Sequence, residues 1–347
     1  GTFYNVVTVK IQMGLCTKFR IISQIKWRIT MNKWSKIGIS TTLGVCVVSS
    51  IHAINRFIFR MSTINHVTAD SKEKIFEWKF GNIAYTVTGS GSPLLLIHDL
   101  DSASSSYEWK NVIQLLSRNH CVYALDLLGC GHSDKPNITY TTYMYTQLIN
   151  DFIVNVIHKK VSVIATGKSA PVTIMTAYSN SYLFDKILLV SPESIKDSLK
   201  SPSKRNSIQR HIINFPIIGT LVYNICMSRK RIYNDFVYNN ISHSDLSILP
   251  AINAYHENSH LGGAYAKYLY SSIQGHYTTA SISRAVSQLD NCIYILYGED
   301  DNKAISTINE YTSLNPAIET ASIKKTKRLP HFESPITFVR TANIFLS

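Results

Sequence analysis

No two of the six cysteines in this chain form a C-x-x-C pair, and none has histidines at zinc spacing. Neither a metal site nor a disulfide framework is therefore signalled. Cys121 and Cys292 fall in apolar, strand-like runs, where a buried structural thiol is expected. Charge is also scarce: 16% of the 347 residues are charged against 45% hydrophobic, so the chain can bury a full core and disorder is excluded as its main state. The balance of +13 would suit a nucleic-acid binder. No DNA or RNA module signature accompanies it, and the Lys and Arg are spread along the chain. Proximity to anionic lipid accounts for the charge more simply.

Charge is missing altogether from residues 37–54, "IGISTTLGVCVVSSIHAI", an 18-residue run just long enough to cross a bilayer. Trp34 before it and Arg56, Phe57 and Arg60 after it suit interfacial flanks. The expectation is an uncleaved single-pass anchor over residues 37–58, with a buried core helix and a cleaved signal peptide as alternatives. A basic leader over residues 1–36 precedes it. The positive-inside rule leans towards a cytoplasmic N-terminus and an exported domain. Met31-Asn32-Lys33 would suit a start of translation, which leaves open that residues 1–30 are non-native sequence.

Beyond a polar linker at 65–74 the chain alternates strands and helices. Residues 82–89 alternate like a half-buried strand, while 93–100, "PLLLIHDL", is a continuous apolar run. A helix at 107–118, a strand at 121–128, a helix near 140–157, strand 161–167, helix 169–179 and strand 186–192 follow. Such spacing predicts right-handed crossovers and a mostly parallel sheet, with ligands beyond the carboxyl ends of its strands. The core is expected over 75–192 and 288–347, around a helical insertion at 193–287 placed as a cap. Strands at 291–301 and near 320–325 and a helix at 335–346 close the chain.

Four stretches, in order, resemble the α/β-hydrolase superfamily over roughly residues 75–347. "IHDL" (97–100) is similar to its H-G-x oxyanion loop, and "DLLGCGHSDKP" (126–136) to its D-x-x-G-x-G-x-S-x-x-P. "TGKSAP" (166–171) stands at the nucleophile elbow and "YGEDD" (297–301) at the acid. The resemblance implies an α/β fold whose mostly parallel central sheet is flanked by helices, with an inserted cap. It further implies Ser169 as nucleophile, Asp301 as triad acid with Glu193 as second choice, and oxyanion donors from the backbone of Leu100 and Ala170. Ser169 as a helix N-cap is the structural alternative. Asp99 stands where the oxyanion loop usually has Gly and would bring negative charge there. Lys168 is expected to be solvated or paired, and His98 to brace its loop.

The catalytic base is what the chain lacks. In "KRLPHFESP" (327–335) the family's G-H-x-P-x-x-E-x-P has Arg328 at the His position, and a guanidinium stays protonated at neutral pH. His331, three residues on, is the candidate replacement; His132, in the "GCGHSDKP" loop, is expected to be merely exposed. Two readings stay open. One is a membrane-anchored ester or thioester hydrolase acting on a small molecule or acyl ester through Ser169, Asp301 and His331. The other is an inactive pseudo-hydrolase that binds a ligand or partner. Membrane lipid is an expected partner; nucleic acid, metal and cofactor are not. The cap stretch 212–226, followed by basic 228–231, would roof the pocket or touch the bilayer.

Overall fold

The computed structural model describes residues 33–68, 72–243 and 246–347. The basic leader up to residue 32 and the proposed start at Met31 lie outside them. The chain divides into two compact units, Gly1–Ser50 and Ile51–Ser347. One helix, α1 (Lys33–Ser62), runs from the described part of the first unit into the second. Its stretch Thr41–Ser62 is long and apolar enough to cross a membrane. Helical order thus continues past the expected end of the span.

The second unit holds an eight-stranded sheet: β1 (Lys74–Trp78), β2 (Gly81–Thr88), β3 (Ser92–Ile97), β4 (His120–Leu125), β5 (Val161–Thr166), β6 (Phe184–Val190), β7 (Cys292–Gly298) and β8 (Glu319–Ile323). Its spatial order is β1-β2-β4-β3-β5-β6-β7-β8. The β1–β2 and β2–β4 pairs are antiparallel, and all others are parallel. The expected α/β architecture is therefore present. Leu94 to Ile97 and Val161 to Thr166 are buried without alternation, because helices cover both faces of the central strands. On one face lie α2 (Thr142–Phe152), α3 (Ser169–Ser179) and, later in the chain, a helix over Ala304–Leu314. Trp109, Leu116, Phe338 and Ala342 pack the other.

The predicted helix at 107–118 is broken into a 3-10 turn, Ser106–Trp109, and one short turn, Ile113–Leu116. Glu108 and Trp109, adjacent in sequence, are both buried, and the tighter winding of the 3-10 turn accommodates them. Cys121 is only half-buried and Cys292 exposed, so the expectation of two buried thiols is corrected; both stand near the starts of their strands.

Between β6 and β7 the chain makes a helical excursion that includes α4 (Lys204–Asn214), α5 (Ile218–Cys226), α6 (Leu249–His260) and α7 (Lys267–Gln274). Despite it, β6 and β7 pair in register, Lys186 opposite Cys292 and Val190 opposite Leu296. The terminal helix α9 (Pro335–Leu346) follows α8 (Ala304–Leu314) and β8, and begins at a proline whose missing N–H would have no helical partner.

Candidate active site

The loop after β4 is built from its own motif. Asp126 accepts hydrogen bonds from the N–H groups of Ser106 and His132, both at 2.7 Å. Ser133 Oγ donates to the Asp126 carbonyl at 2.6 Å and accepts from Ala84 N–H at 2.9 Å. Gly131 has φ +45°, and a Cβ there would stand 2.0 Å from the Asp126 carboxylate, so only glycine fits. This stretch is scaffolding: it ties the sheet's antiparallel edge to the loop beside the site.

His98 braces the loop after β3, as anticipated. Its Nε2 accepts from Leu127 N–H at 3.0 Å, which leaves Nδ1 to donate to the Asp99 carbonyl at 2.7 Å. Leu100 is buried just beyond.

At the end of β5 the chain turns sharply into α3, and the residue in the left-handed region at that turn is Gly167, with φ +52°. Lys168 already has helical angles, and α3 starts at Ser169. In this fold the nucleophile occupies the strained turn, and the N–H after it helps to form the oxyanion hole. That position here is Gly167, with Ala165 and Ser169 as the small residues two places to either side. The assignment of Ser169 is corrected accordingly. Its side chain is fully buried and donates to the His98 carbonyl at 2.6 Å. The Ala170 N–H, expected as an oxyanion donor, is directed to the Gly167 carbonyl at 3.3 Å.

The place a nucleophile would take is filled by Asp99. A Cβ on Gly167 would lie 2.4 Å from Asp99 Oδ1, and that oxygen accepts the Lys168 N–H at 2.7 Å. A carboxylate thus sits on the donor that an oxyanion would need. Burial pushes the Asp99 carboxyl above its usual range, with Lys168 and Arg328 opposing and Glu108 and Asp101 reinforcing the rise. Lys168 lies 3.5 Å from Asp101; burial works against its charge, but Asp101, Asp99 and Glu193 hold its pKa above the ordinary value. The lysine is therefore a fixed cation, paired as expected. Burial likewise raises Glu193, partly offset by Lys168.

His331 is fully buried, its ring tilted by 33° against Trp109 with ring centroids 4.5 Å apart. Its Nε2 stands 3.2 Å from Glu108 Oε1, a close contact whose angles fall short of a good hydrogen bond. Sequence reasoning missed Glu108 as a site residue. It also accepts from Thr166 Oγ1 at 2.7 Å and from Asp99 N–H at 3.2 Å, and no family motif flagged it. Burial would raise the Glu108 carboxyl, but His331, Thr166 and His98 hold it below the ordinary range.

Asp301 accepts from Lys303 N–H at 3.0 Å and so caps the turn into α8. Asp300 meets Ser242 Oγ from the insertion. Glu333, of the "ESP" frame, accepts from Lys327 and Ser242 N–H at 2.8 and 2.7 Å, pinning the last loop to the insertion. Among the described residues no hydrogen bond links Ser169, His331 and Asp301 with one another. His132 lies elsewhere, 2.9 Å from Glu73.

Above the floor, a cavity of roughly 580 Å³ separates the strand ends from the insertion. Asp99, Lys168 and Arg328 line its base, with Arg231, Tyr255 and Tyr270 among the residues from the insertion. Among the described residues, no cluster of His, Cys, Asp and Glu could hold a metal.

Comparison with known proteins agrees with this architecture. The chain is 32% identical over 108 residues to a 2-hydroxy-6-oxo-6-(2'-aminophenyl)hexa-2,4-dienoic acid hydrolase of Metapseudomonas resinovorans, covering 30% of this chain and 37% of that protein. It is 32% identical over 106 residues to a soluble epoxide hydrolase of Corynebacterium sp. (strain C12), covering 30% and 36%. The matched stretch thus spans about a third of these curated relatives. A serine hydrolase involved in carbazole degradation superposes with a TM-score of 0.65 at 19% identity, over 79% of this chain and 98% of that one. A bacterial membrane phospholipase A does so at 0.63 and 14%, over 97% of both. These likenesses carry the fold alone. With the strand order, the elbow and the helical excursion after β6 in place, a match of residues 94–340 to the model of the alpha/beta hydrolase family settles the kinship: the chain belongs to the α/β-hydrolase family.

Proposed function

We propose that this member of the family works as a ligand-binding pseudo-hydrolase, its catalytic positions given over to fixed charge. The observation that carries the reading is the Asp99 carboxylate, lodged against Gly167 and on the Lys168 N–H. A serine mechanism needs a nucleophile at that turn, a base beside it and an empty oxyanion hole. Glycine, arginine and a carboxylate stand in their places. The helical insertion acts as the cap over the cavity, and α1 as a single-pass membrane anchor. Arg231 and Arg328 both line the cavity, with Asp99, Asp101 and Asp235 also in its lining, so two guanidinium groups face a ligand there. With Tyr255 and Tyr270 beside them, the cavity suits a small amphiphile with a carboxylate or phosphate head.

A fluorophosphonate probe, with a fluorescent fatty acid as binding reporter, tests the reading on the full chain. The wild type is expected to stay unlabelled yet bind the fatty acid saturably, and Arg328→Ala to weaken that binding about tenfold, the scale of one lost charged hydrogen bond. The combined substitution Asp99→Gly, Gly167→Ser and Arg328→His should gain labelling at position 167. Labelling of the wild type that disappears in Ser169→Ala would overturn the proposal and restore the serine hydrolase.

A further inference from the structure

The two longest stretches of this chain without an acidic residue stand out. No Asp or Glu precedes Asp70, and none lies between Asp197 and Asp235, where Lys200, Lys204, Arg205, Arg210, Arg229, Lys230 and Arg231 fall. The first stretch includes α1, the second α4 and α5. Far apart in sequence, they meet through one buried amide. Asn55 Nδ2 donates to the Ile217 carbonyl at 2.9 Å, and Asn224 Nδ2 donates to Asn55 Oδ1 at 2.9 Å. One turn on, Phe59 packs against the cluster of Tyr223, Met227 and Ala266.

Asn55 and Phe59, four residues apart, mark the face of α1 that meets the insertion. Its other face carries Ile54, Phe57 and Met61, 49%, 64% and 50% exposed. Their spacing of three and four residues makes one apolar stripe. The insertion repeats the pattern beside it. Ile208, Ile212 and Phe215, with Ile218 at the start of α5, are between 47% and 62% exposed and form one shallow apolar patch with exposed Lys204 and Arg205 near it. A free surface of this kind, apolar and basic and without acid, has the composition of an interfacial membrane contact.

Asn55 also constrains where a bilayer can lie. An asparagine hydrogen-bonded to the insertion is shielded from lipid, so the last turns of α1 are a neck held by the insertion rather than free membrane span. A membrane surface at the end of that neck would pass beside Ile217, the residue whose carbonyl accepts from Asn55, next to Phe215 and Ile218. We infer that α4 and the start of α5 lie in the headgroup layer of an anionic bilayer, Ile208, Ile212, Phe215 and Ile218 entering the acyl boundary and Lys204 and Arg205 meeting lipid phosphates. This inference rests on the reading of α1 as the membrane anchor, and not on whether the cavity is catalytic.

The test uses the full chain in nanodiscs of phosphatidylcholine with about 30% phosphatidylglycerol, a fraction of the lipid bearing a diazirine in its acyl chain. After irradiation, lipid adducts are mapped by peptide mass spectrometry. Adducts are expected on residues 204–218 as well as on α1. Because Lys204 and Arg205 are exposed, their double substitution by Glu should leave thermal unfolding unchanged, cut the adducts on 204–218 at least fivefold, and spare those on α1. Adducts confined to α1 in the wild type, or an unchanged yield on 204–218 after the double substitution, would overturn the inference.

Discussion

Glu108 joins three segments at once: its carboxylate receives Thr166 from β5 and the Asp99 N–H from the oxyanion loop, and faces His331 from the last loop. Replacing it by Ala strands these groups without solvent, and about 3–5 kcal/mol of unfolding free energy should be lost in urea titrations at neutral pH. Its folded pKa lies below the unfolded one, so its contribution is whole above the usual carboxylate range and is lost as pH falls through the lower folded value. Asp99 has the opposite sign. Burial raises its folded pKa, so its charged form opposes folding above that value. Asp99→Asn is therefore expected to melt higher than wild type at pH 7, with the difference vanishing below about pH 4, where the carboxyl is protonated in both states. A lower melting temperature at pH 7 would contradict that sign. The elbow shows how far residue types reach. Gly167-x-Ser169 fits the family pattern in two frames, with glycine either before the nucleophile or in its place. Local sequence cannot choose between them, and the choice falls to the Asp99 carboxylate, 68 positions upstream of Gly167, whose oxygens leave no room for a Cβ.

At the scale of elements, the uninterrupted apolar runs made the central strands legible, because a strand covered on both faces must be apolar throughout. The stretch 107–118 was not, since its helical periodicity is overridden where Glu108 and Trp109 both turn inward. His331 was legible as an imagined base only because spacing places it one turn from Arg328. What spacing cannot convey is that the turn Pro330–Glu333 directs the ring to Trp109. The seam between α1 and α5 was equally invisible, since its hydrogen bonds centre on one asparagine in an apolar helix. Asn55→Ala removes both hydrogen bonds and leaves the Asn224 amide buried without its acceptor. A loss of about 1–3 kcal/mol is expected, together with faster proteolysis around residues 214–217. Unchanged proteolysis would mean that the helix is held by its other contacts.

For the molecule as a whole, the positive balance is concentrated by the absence of acid in the two longest acid-free stretches more than by a local run such as Arg229-Lys230-Arg231, which is why the even spread of Lys and Arg concealed it. The excursion between β6 and β7 carries a cost in time as well. A ribosome that has just released Val190 must add about 100 residues before Cys292 can pair with Lys186. At about 5–20 residues per second that interval is on the order of 5–20 s. Throughout it the open side of β6, whose Ile187, Leu188, Leu189 and Val190 are all buried in the finished sheet, remains an unpaired and apolar edge. The nascent chain is thus most exposed to strand-to-strand association while the helical excursion is being made, and a chaperone that shields one edge for several seconds would raise its yield more than one that acts after release.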